Sequence, residues 1–268
     1  DSIHLWIYGM TDKPLIRLLE QKASHGVSVH IAYDPSASSS LYKKIPHAHF
    51  FPHASKGLMH KKIFCIDDHL LFLGSANFTL SSLRHHDNLV IGIDHPALAT
   101  FIQNPQDTAF AFTIQEQPAA FYLLPDRNKK GLLRLLELID QAHHSIRIAM
   151  FTFTHPQIAK ALIQAKKRGL DVTVAVDYYT AKGASKKTVE ALHREGVTVL
   201  LSQGTELLHY KWGWIDEDTL AMGSANWTTA AFTKNDDFIL VLSSLNKKQN
   251  LFLRRLWKTI EIESTLML

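Results

Sequence analysis

Hydrophobic and polar positions alternate along this chain in a grammar that is used twice. "SIHLWIYGM" (2–10) and "SIRIAMFTF" (145–153) are rich in β-branched and aromatic residues and read as strands. "KPLIRLLEQKASHG" (13–26) and "PQIAKALIQAKKRG" (156–169) carry apolar residues at helical spacing and are closed by Gly26 and Gly169. "VSVHIAYD" (27–34) and "LDVTVAVD" (170–177) are again strand-like. Strand, helix and strand joined by short turns form a right-handed crossover, which places the strands in one sheet with the helix against it. Further on, each half predicts two more strands, a short helix ("FTLSSLRH", "WTTAAFTK") and a returning strand ("NLVIGID", "DFILVLS"). The fold class expected is α/β: two α/β/α units, each a mixed sheet flanked by helices, covering residues 1–118 and 119–268 with a boundary near Pro118.

The grammar is a true repeat. "HKKIFCIDDHLLFLGSAN" (60–77) and "HYKWGWIDEDTLAMGSAN" (209–226) place His60, Lys62, Asp67, Gly74, Ser75 and Asn77 opposite His209, Lys211, Asp216, Gly223, Ser224 and Asn226, always 149 positions apart. The upstream strands match at an offset of 143, so six residues are absorbed in the loops after Asp34 and Asp177. The second unit opens with an additional strand and amphipathic helix, "FYLLPDRNKKGLLRLLELIDQAHH", which the first unit lacks at Asp1. This predicts a segment upstream of Asp1, and export or membrane anchoring through such a segment stays open.

Composition changes the picture little. With 46% hydrophobic and 20% charged residues and no apolar run of bilayer length, the chain reads as a globular protein with a sizeable core. Its single cysteine, Cys65, excludes an internal disulfide and a cysteine-based zinc site. The net charge of +4 is compatible with an anionic substrate.

The repeated residues suit a phosphate. Lysine is a poor zinc ligand at neutral pH, and neither copy has a second His, Cys or carboxylate at ligand spacing, so no metal and no cofactor is expected. Two lysines supply point charges for non-bridging oxygens, while the Ser hydroxyls and Asn amides add donors. Two histidines complete an in-line displacement, one attacking phosphorus and one protonating the leaving oxygen. Asp67 and Asp216 lie five residues past the lysines, just before a turn, and read as structural carboxylates.

The pattern His-x-Lys-x4-Asp-x6-Gly-Ser-x-Asn, present twice, resembles the signature of the phospholipase D superfamily. The resemblance implies a pseudo-twofold pair of units with one active site at their junction and a covalent phosphohistidine intermediate. It implies that His60 and His209 are nucleophile and general acid/base, with His60 favoured as nucleophile, and that Lys62, Lys211, Ser75, Ser224, Asn77 and Asn226 form the phosphate pocket. Family members carry an orienting acid about eleven positions after the motif Asn. Asp237 meets that spacing; in the first copy the eleventh residue is Asn88, preceded by Asp87, and Asp87 is taken as the acid. Because both half-sites lie in one chain, the resemblance implies that a monomer suffices.

The "GSANWT" form and the small size resemble the compact nuclease-like or cardiolipin-hydrolase-like branch. The favoured substrate is therefore nucleic acid, cut as by an endonuclease. Alternatives are phospholipid headgroup hydrolysis or exchange, and non-catalytic phosphate binding. The segment 38–59 is expected to be a loop controlling access, through Lys43, Lys44 and Lys56 for phosphates or Phe50, Phe51 and Leu58 for lipid. Trp212 and Trp214 read as core beneath the site, and the pairs His85-His86 and His143-His144 as solvated. The basic stretches at 129–131 and 182–187 read as surface, the second near the expected cleft.

Overall fold

The structure, a computed structural model, describes residues 1–204 and 206–267. The first unit contains β1 (Ser2–Ile7), β2 (Ser28–Tyr33), β3 (His49–Pro52), β4 (Lys62–Ile66), β5 (Leu70–Gly74) and β6 (Val90–Asp94) in the order β3-β2-β1-β4-β5-β6. Its helices are α1 (Lys13–Ser24), α2 (Leu41–Lys44), α3 (Leu80–Arg84) and α4 (Pro96–Gln103). The second sheet is built from β7 (Ala109–Ile114), β8 (Gln117–Leu124), β9 (Ser145–Met150), β10 (Asp171–Asp177), β11 (Thr198–Ser202), β12 (Lys211–Ile215), β13 (Thr219–Gly223), β14 (Asp237–Leu242) and β15 (Ser264–Leu266). Their order is β15-β11-β10-β9-β12-β13-β14-β8-β7. The accompanying helices are α5 (Lys130–Asp140), α6 (Pro156–Lys167), α7 (Tyr178–Lys182), α8 (Lys186–Arg194), α9 (Thr229–Thr233) and α10 (Lys247–Ile262).

The repeated grammar becomes a repeated topology. β1 pairs in parallel with β2 and antiparallel with β4, as β9 does with β10 and β12. α1 starts on an Asp12 carboxylate that accepts from the Leu15 N–H, and its apolar stripe buries Ile16 and Leu19. Gly26 and Gly169 stop their helices at φ +90° and +94°, a conformation that a side chain disfavours.

Two details depart from the sequence reading. β7, which precedes Pro118, hydrogen-bonds to β8 in the second sheet, so sheet membership changes between Gln103 and Ala109. The segment 38–59 is not an open loop: it holds α2 and the edge strand β3, which pairs in parallel with β2. Strand alternation then splits its aromatics. Phe50 turns inward onto Tyr33 and is unavailable as a lipid-binding rim, while Phe51 lies on the other face beside His30.

One core joins the two units. Ile63, Cys65, Leu71 and Leu73 of the first sheet share a buried cluster with Trp212, Trp214, Leu220 and Phe238 of the second, closed by α4 and α10. Both tryptophans are core residues, as expected, and the Arg147 guanidinium lies 5.2 Å over the Trp214 ring. Full burial of each large side chain contributes about 1.5–3 kcal/mol, so this shared cluster holds the two halves in a defined register. No described helix is long and apolar enough to cross a membrane.

Candidate active site

Each motif histidine is held by the opposite unit. The His60 backbone N–H donates to the Asp236 carbonyl at 2.8 Å, and the His209 N–H donates to the Asp87 carbonyl at 3.0 Å. The residues just before them form isolated bridges across the junction, Met59 with Asp236 and Leu208 with Asp87. Within its own unit, Asp34 takes the Met59 N–H on its carboxylate at 3.0 Å. The side chains follow the same exchange. His60 Nδ1 lies 2.8 Å from Asp237 Oδ1, and His209 Nδ1 lies 2.9 Å from Asn88 Oδ1.

Those partners set the tautomers. The Asn88 amide nitrogen donates to the Ser82 and His86 carbonyls, which leaves its oxygen to face His209. Asp237 is wholly buried and acceptor-only when ionised. Both imidazoles therefore donate through Nδ1 and keep the Nε2 lone pair for chemistry. Burial works against the Asp237 charge, but His60, Lys62 and the Ser224 hydroxyl hold its carboxyl below the usual range.

The motif lysines supply the positive field. Lys62 Nζ donates to the His60 carbonyl at 2.6 Å and Lys211 Nζ to the His209 carbonyl at 2.9 Å, and both side chains are buried. Burial pushes Lys62 down to about 7, against the pull of Asp237 and Asp34. Burial and then the charge of Lys62 push Lys211 well below its ordinary value. Burial and Lys62 lower His60, opposed by Asp237; burial and the two lysines put His209 well below the ordinary imidazole range. The centre thus has more positive than negative charge, and an added anion would relieve it.

The serines do a different job from the one expected. Ser75 Oγ donates to Asn88 Oδ1 at 2.9 Å and Ser224 Oγ to Asp237 Oδ1 at 2.6 Å, and each oxygen accepts the N–H of Leu89 or Phe238. Their protons are committed to the groups that orient the histidines, so Ser75 and Ser224 are buttresses rather than phosphate donors. Asn77 and Asn226 are half-buried, and no hydrogen bond from either amide nitrogen occurs among the described residues, so both can still donate. The glycine before each serine is required sterically. A Cβ on Gly74 would lie 2.0 Å from the Leu89 carbonyl oxygen, and one on Gly223 2.2 Å from that of Phe238. Gly223→Ala is expected to destabilise by about 3 kcal/mol or more, read as a lowered midpoint in thermal unfolding; an unchanged midpoint would show that the strands can separate freely.

Asp87 is the clearest correction. Its backbone anchors His209, but its side chain reaches neither histidine, and burial with the nearby Glu263 and Glu206 pushes the carboxyl up to about 6. In extended chain, neighbouring residues point to opposite sides, so with Asn88 turned to His209, Asp87 turns away. Asp67 and Asp216 sit in left-handed turns far along the hairpins, where Asp216 gathers the N–H groups of His143, His144 and Ser145.

Several site residues were missed. Tyr8 and Phe151, equivalent by the 143-residue offset, stand beside the histidines with ring centroids 5.4 and 5.0 Å away and lie under the Lys62 and Lys211 ammonium groups. Their shared aromatic character in the aligned strands was the available signal. His86, read as solvated, lies with its ring centroid 6.1 Å from that of His209 and borders a polar pocket of about 440 Å³ with Asp177, Tyr178, Tyr179 and Gln203. In the basic segment 182–187, Lys182 stands 4.2 Å over the Tyr178 ring, while Ser185 is buried and accepts the Phe153 N–H. Among the described residues no group of three or more His, Cys, Asp or Glu side chains could hold a metal ion.

Residues 1–104 and 135–257 match the family described as cardiolipin synthase, PLD-like domain. The mouse mitochondrial cardiolipin hydrolase is 30% identical over 138 residues, 50% of this chain and 61% of that protein; the human protein of that name is 31% identical over 134 residues, covering 48% and 52%. The chain thus spans between about half and three fifths of the length of these curated relatives. The phospholipase D family member Nuc from Salmonella typhimurium superposes with a TM-score of 0.51 at 29% identity, over 56% of this chain and 98% of that one. Phosphatidylserine synthase from Haemophilus influenzae superposes over 100% of this chain and 82% of its own with a TM-score of 0.78 at 12% identity, a likeness of fold.

Proposed function

This chain belongs to the phospholipase D superfamily, and we propose that it is a metal-independent phosphodiesterase that cleaves nucleic acid through a phosphohistidine on His60. The observation that supports this most directly is the pair of oriented imidazoles, His60 on Asp237 and His209 on Asn88, set over two buried lysines. A phosphodiester anion placed between them meets Lys62 and Lys211 at its non-bridging oxygens and the amides of Asn77 and Asn226. In the free site His209 is held neutral by burial and the lysines; the incoming anion offsets that positive charge and lets His209 take up a proton. His60 Nε2 then attacks phosphorus as the His209 imidazolium gives this proton to the leaving oxygen; the N–P bond forms and the P–O bond breaks. Water then loses a proton to His209 and displaces His60.

The asymmetry of the partners supports these roles. Positive charge grows on the attacking imidazole, and only His60 has a carboxylate against it. Asn88 is neutral and leaves the His209 imidazolium a readier acid. Both half-sites lie in one chain, so a monomer is sufficient.

For the substrate, the polar pocket bordered by His86, the neighbour of His209, offers Tyr178 and Tyr179, the latter 76% exposed, with Lys182 alongside. Aromatic faces next to a cation suit stacked bases and a phosphate backbone. A second reading, phospholipid hydrolysis, is favoured by the names of the curated relatives and by exposed Leu58, whose carbonyl accepts the Asp236 N–H next to the His60 partner.

In EDTA, single-stranded DNA or RNA is expected to be cut and cardiolipin vesicles spared. With a p-nitrophenyl phosphodiester, whose leaving group needs no acid, His209→Asn should release one equivalent of p-nitrophenol and stall as phosphoenzyme, and His60→Asn should release none. Vesicle hydrolysis alone would move the substrate to lipid; a burst from His60→Asn would reverse the roles; dependence on added metal would remove the mechanism.

A further inference from the structure

The N-termini of α5 and α6 and the helix α9 surround a second pocket of about 540 Å³, whose lining includes neither His60 nor His209. This volume is in the range of small-molecule sites. Leu124, Leu132, Pro156 and Phe232 form apolar walls, and Arg127 and Lys129 stand exposed at the rim without an ion-pair partner among the described residues. Asp126 also borders the pocket, but its two oxygens already accept the N–H groups of Asn128 and Lys130.

His155 is the residue that singles this pocket out. It occupies the N-cap of the 12-residue helix α6, is only 4% exposed, and borders the pocket. Its side chain makes no capping bond, and Nδ1 is buried with no partner among the described residues. Elsewhere in the chain the same position is used. Asp12, its counterpart in the first unit, accepts from the Leu15 N–H at 2.9 Å, and His95 accepts through Nδ1 from the Leu98 N–H at 3.0 Å. An imidazole can therefore cap, yet at α6 the N–H groups of Gln157 and Ile158 have no acceptor among the described residues. Unfilled helix donors, an unpartnered buried imidazole and two free cations all call for an anion, and the walls call for an apolar body attached to it.

We propose that this pocket binds an anionic amphiphile, a molecule with one phosphate or carboxylate head and an apolar body. The head sits at the N-terminus of α6 beside His155, Arg127 and Lys129, and the body lies along Leu124, Leu132 and Phe232. The site is independent of the diesterase reading, though Leu124 is paired in register with Asp237, one strand away from the His60 partner.

Isothermal titration of the full chain with decyl phosphate, decanoate, inorganic phosphate and decyl maltoside tests this. One or both anionic amphiphiles should bind below about 1 mM, at least tenfold tighter than the headless or tailless probe; the stronger of the two identifies the head. Binding should persist in the Lys62→Met/Lys211→Met double variant, which removes the other anion-attracting centre. It should weaken at least about tenfold in Arg127→Glu/Lys129→Glu, with phosphodiester cleavage unchanged, and in His155→Asp. The last variant imports the Asp12 cap and should melt higher than wild type, so its loss of binding is not a loss of fold. Binding that vanishes with the junction lysines, survives both pocket variants, or fails for both amphiphiles would overturn the proposal.

Discussion

Asp237→Asn is expected to lower kcat/KM for a phosphodiester by about 10³- to 10⁴-fold, whereas Asn88→Ala should cost only about 10- to 100-fold. The two residues are equivalent by the 149-residue offset and touch the equivalent atom of the two histidines, so a purely positional role would make the losses alike. They differ in charge and in surroundings. The Asn88 amide is locked with its oxygen toward His209 because its nitrogen is held by two carbonyls. Asp237 is used differently: the His60 ring and the Ser224 hydroxyl both lie on Oδ1, and no donor among the described residues reaches the buried Oδ2. An amide there would strand two donors or turn one toward His60, forcing the proton onto Nε2 and removing the attacking lone pair. It would also remove the carboxylate that is hydrogen-bonded to the growing imidazolium. Steady-state kinetics on both variants decide the matter, and equal losses would sink the assignment of His60 as nucleophile.

Lys62→Met and Lys211→Met should each give a protein that melts higher than wild type and has lost about 10³-fold in kcat/KM. Holding two ammonium groups in a buried site is unfavourable before any anion arrives, as the depression of both lysines shows. Methionine preserves much of the volume and forfeits one hydrogen bond to a histidine carbonyl; relief of desolvation outweighs that loss, for a gain of about 1–3 kcal/mol. The pH dependence has a definite sign. Lys62 has a folded value near 7, below its unfolded value of about 10.4. The unfolded chain therefore binds more protons between those limits, and wild-type stability rises with pH across that window. The advantage of Lys62→Met is largest at and below pH 7 and closes toward pH 10. Thermal melts of the pair at pH 6, 8 and 10 check it; a variant less stable at pH 6, or an advantage that grows with pH, contradicts the argument.

How much of this was legible beforehand varies by residue. The repeat exposed His60, Lys62, His209 and Lys211 because the chemistry needs those side chains at one spacing on one strand, and spacing is what a sequence records. The family resemblance, through its spacing of an orienting acid, adds Asp237, eleven positions past Asn226. The same count reached Asn88, but a preference for an acid moved the reading to Asp87, one residue too early. Side-chain direction alternates along extended chain, so one residue is the difference between facing His209 and facing away. Donor capacity and the family resemblance both point Ser75 and Ser224 at phosphate, whereas a hydroxyl proton goes to the nearest strong acceptor, and Asn88 and Asp237 are nearer. Tyr8, Phe151 and His86 carry no motif; they belong to the site because of where distant strands and turns bring them.

The sequence by itself determined the duplicated strand-helix-strand order, the identity of the paired histidines and lysines, and the glycines that let strands approach. These rest on local periodicity and fixed spacing, which act within one unit. Only the tertiary structure decided that His60 is partnered by Asp237 and His209 by Asn88, each across the junction. It also decided that the lysines are buried together and that one helix cap stands unfilled. Those outcomes depend on how the shared core docks two sheets, a through-space arrangement of residues up to 177 positions apart that no local pattern encodes.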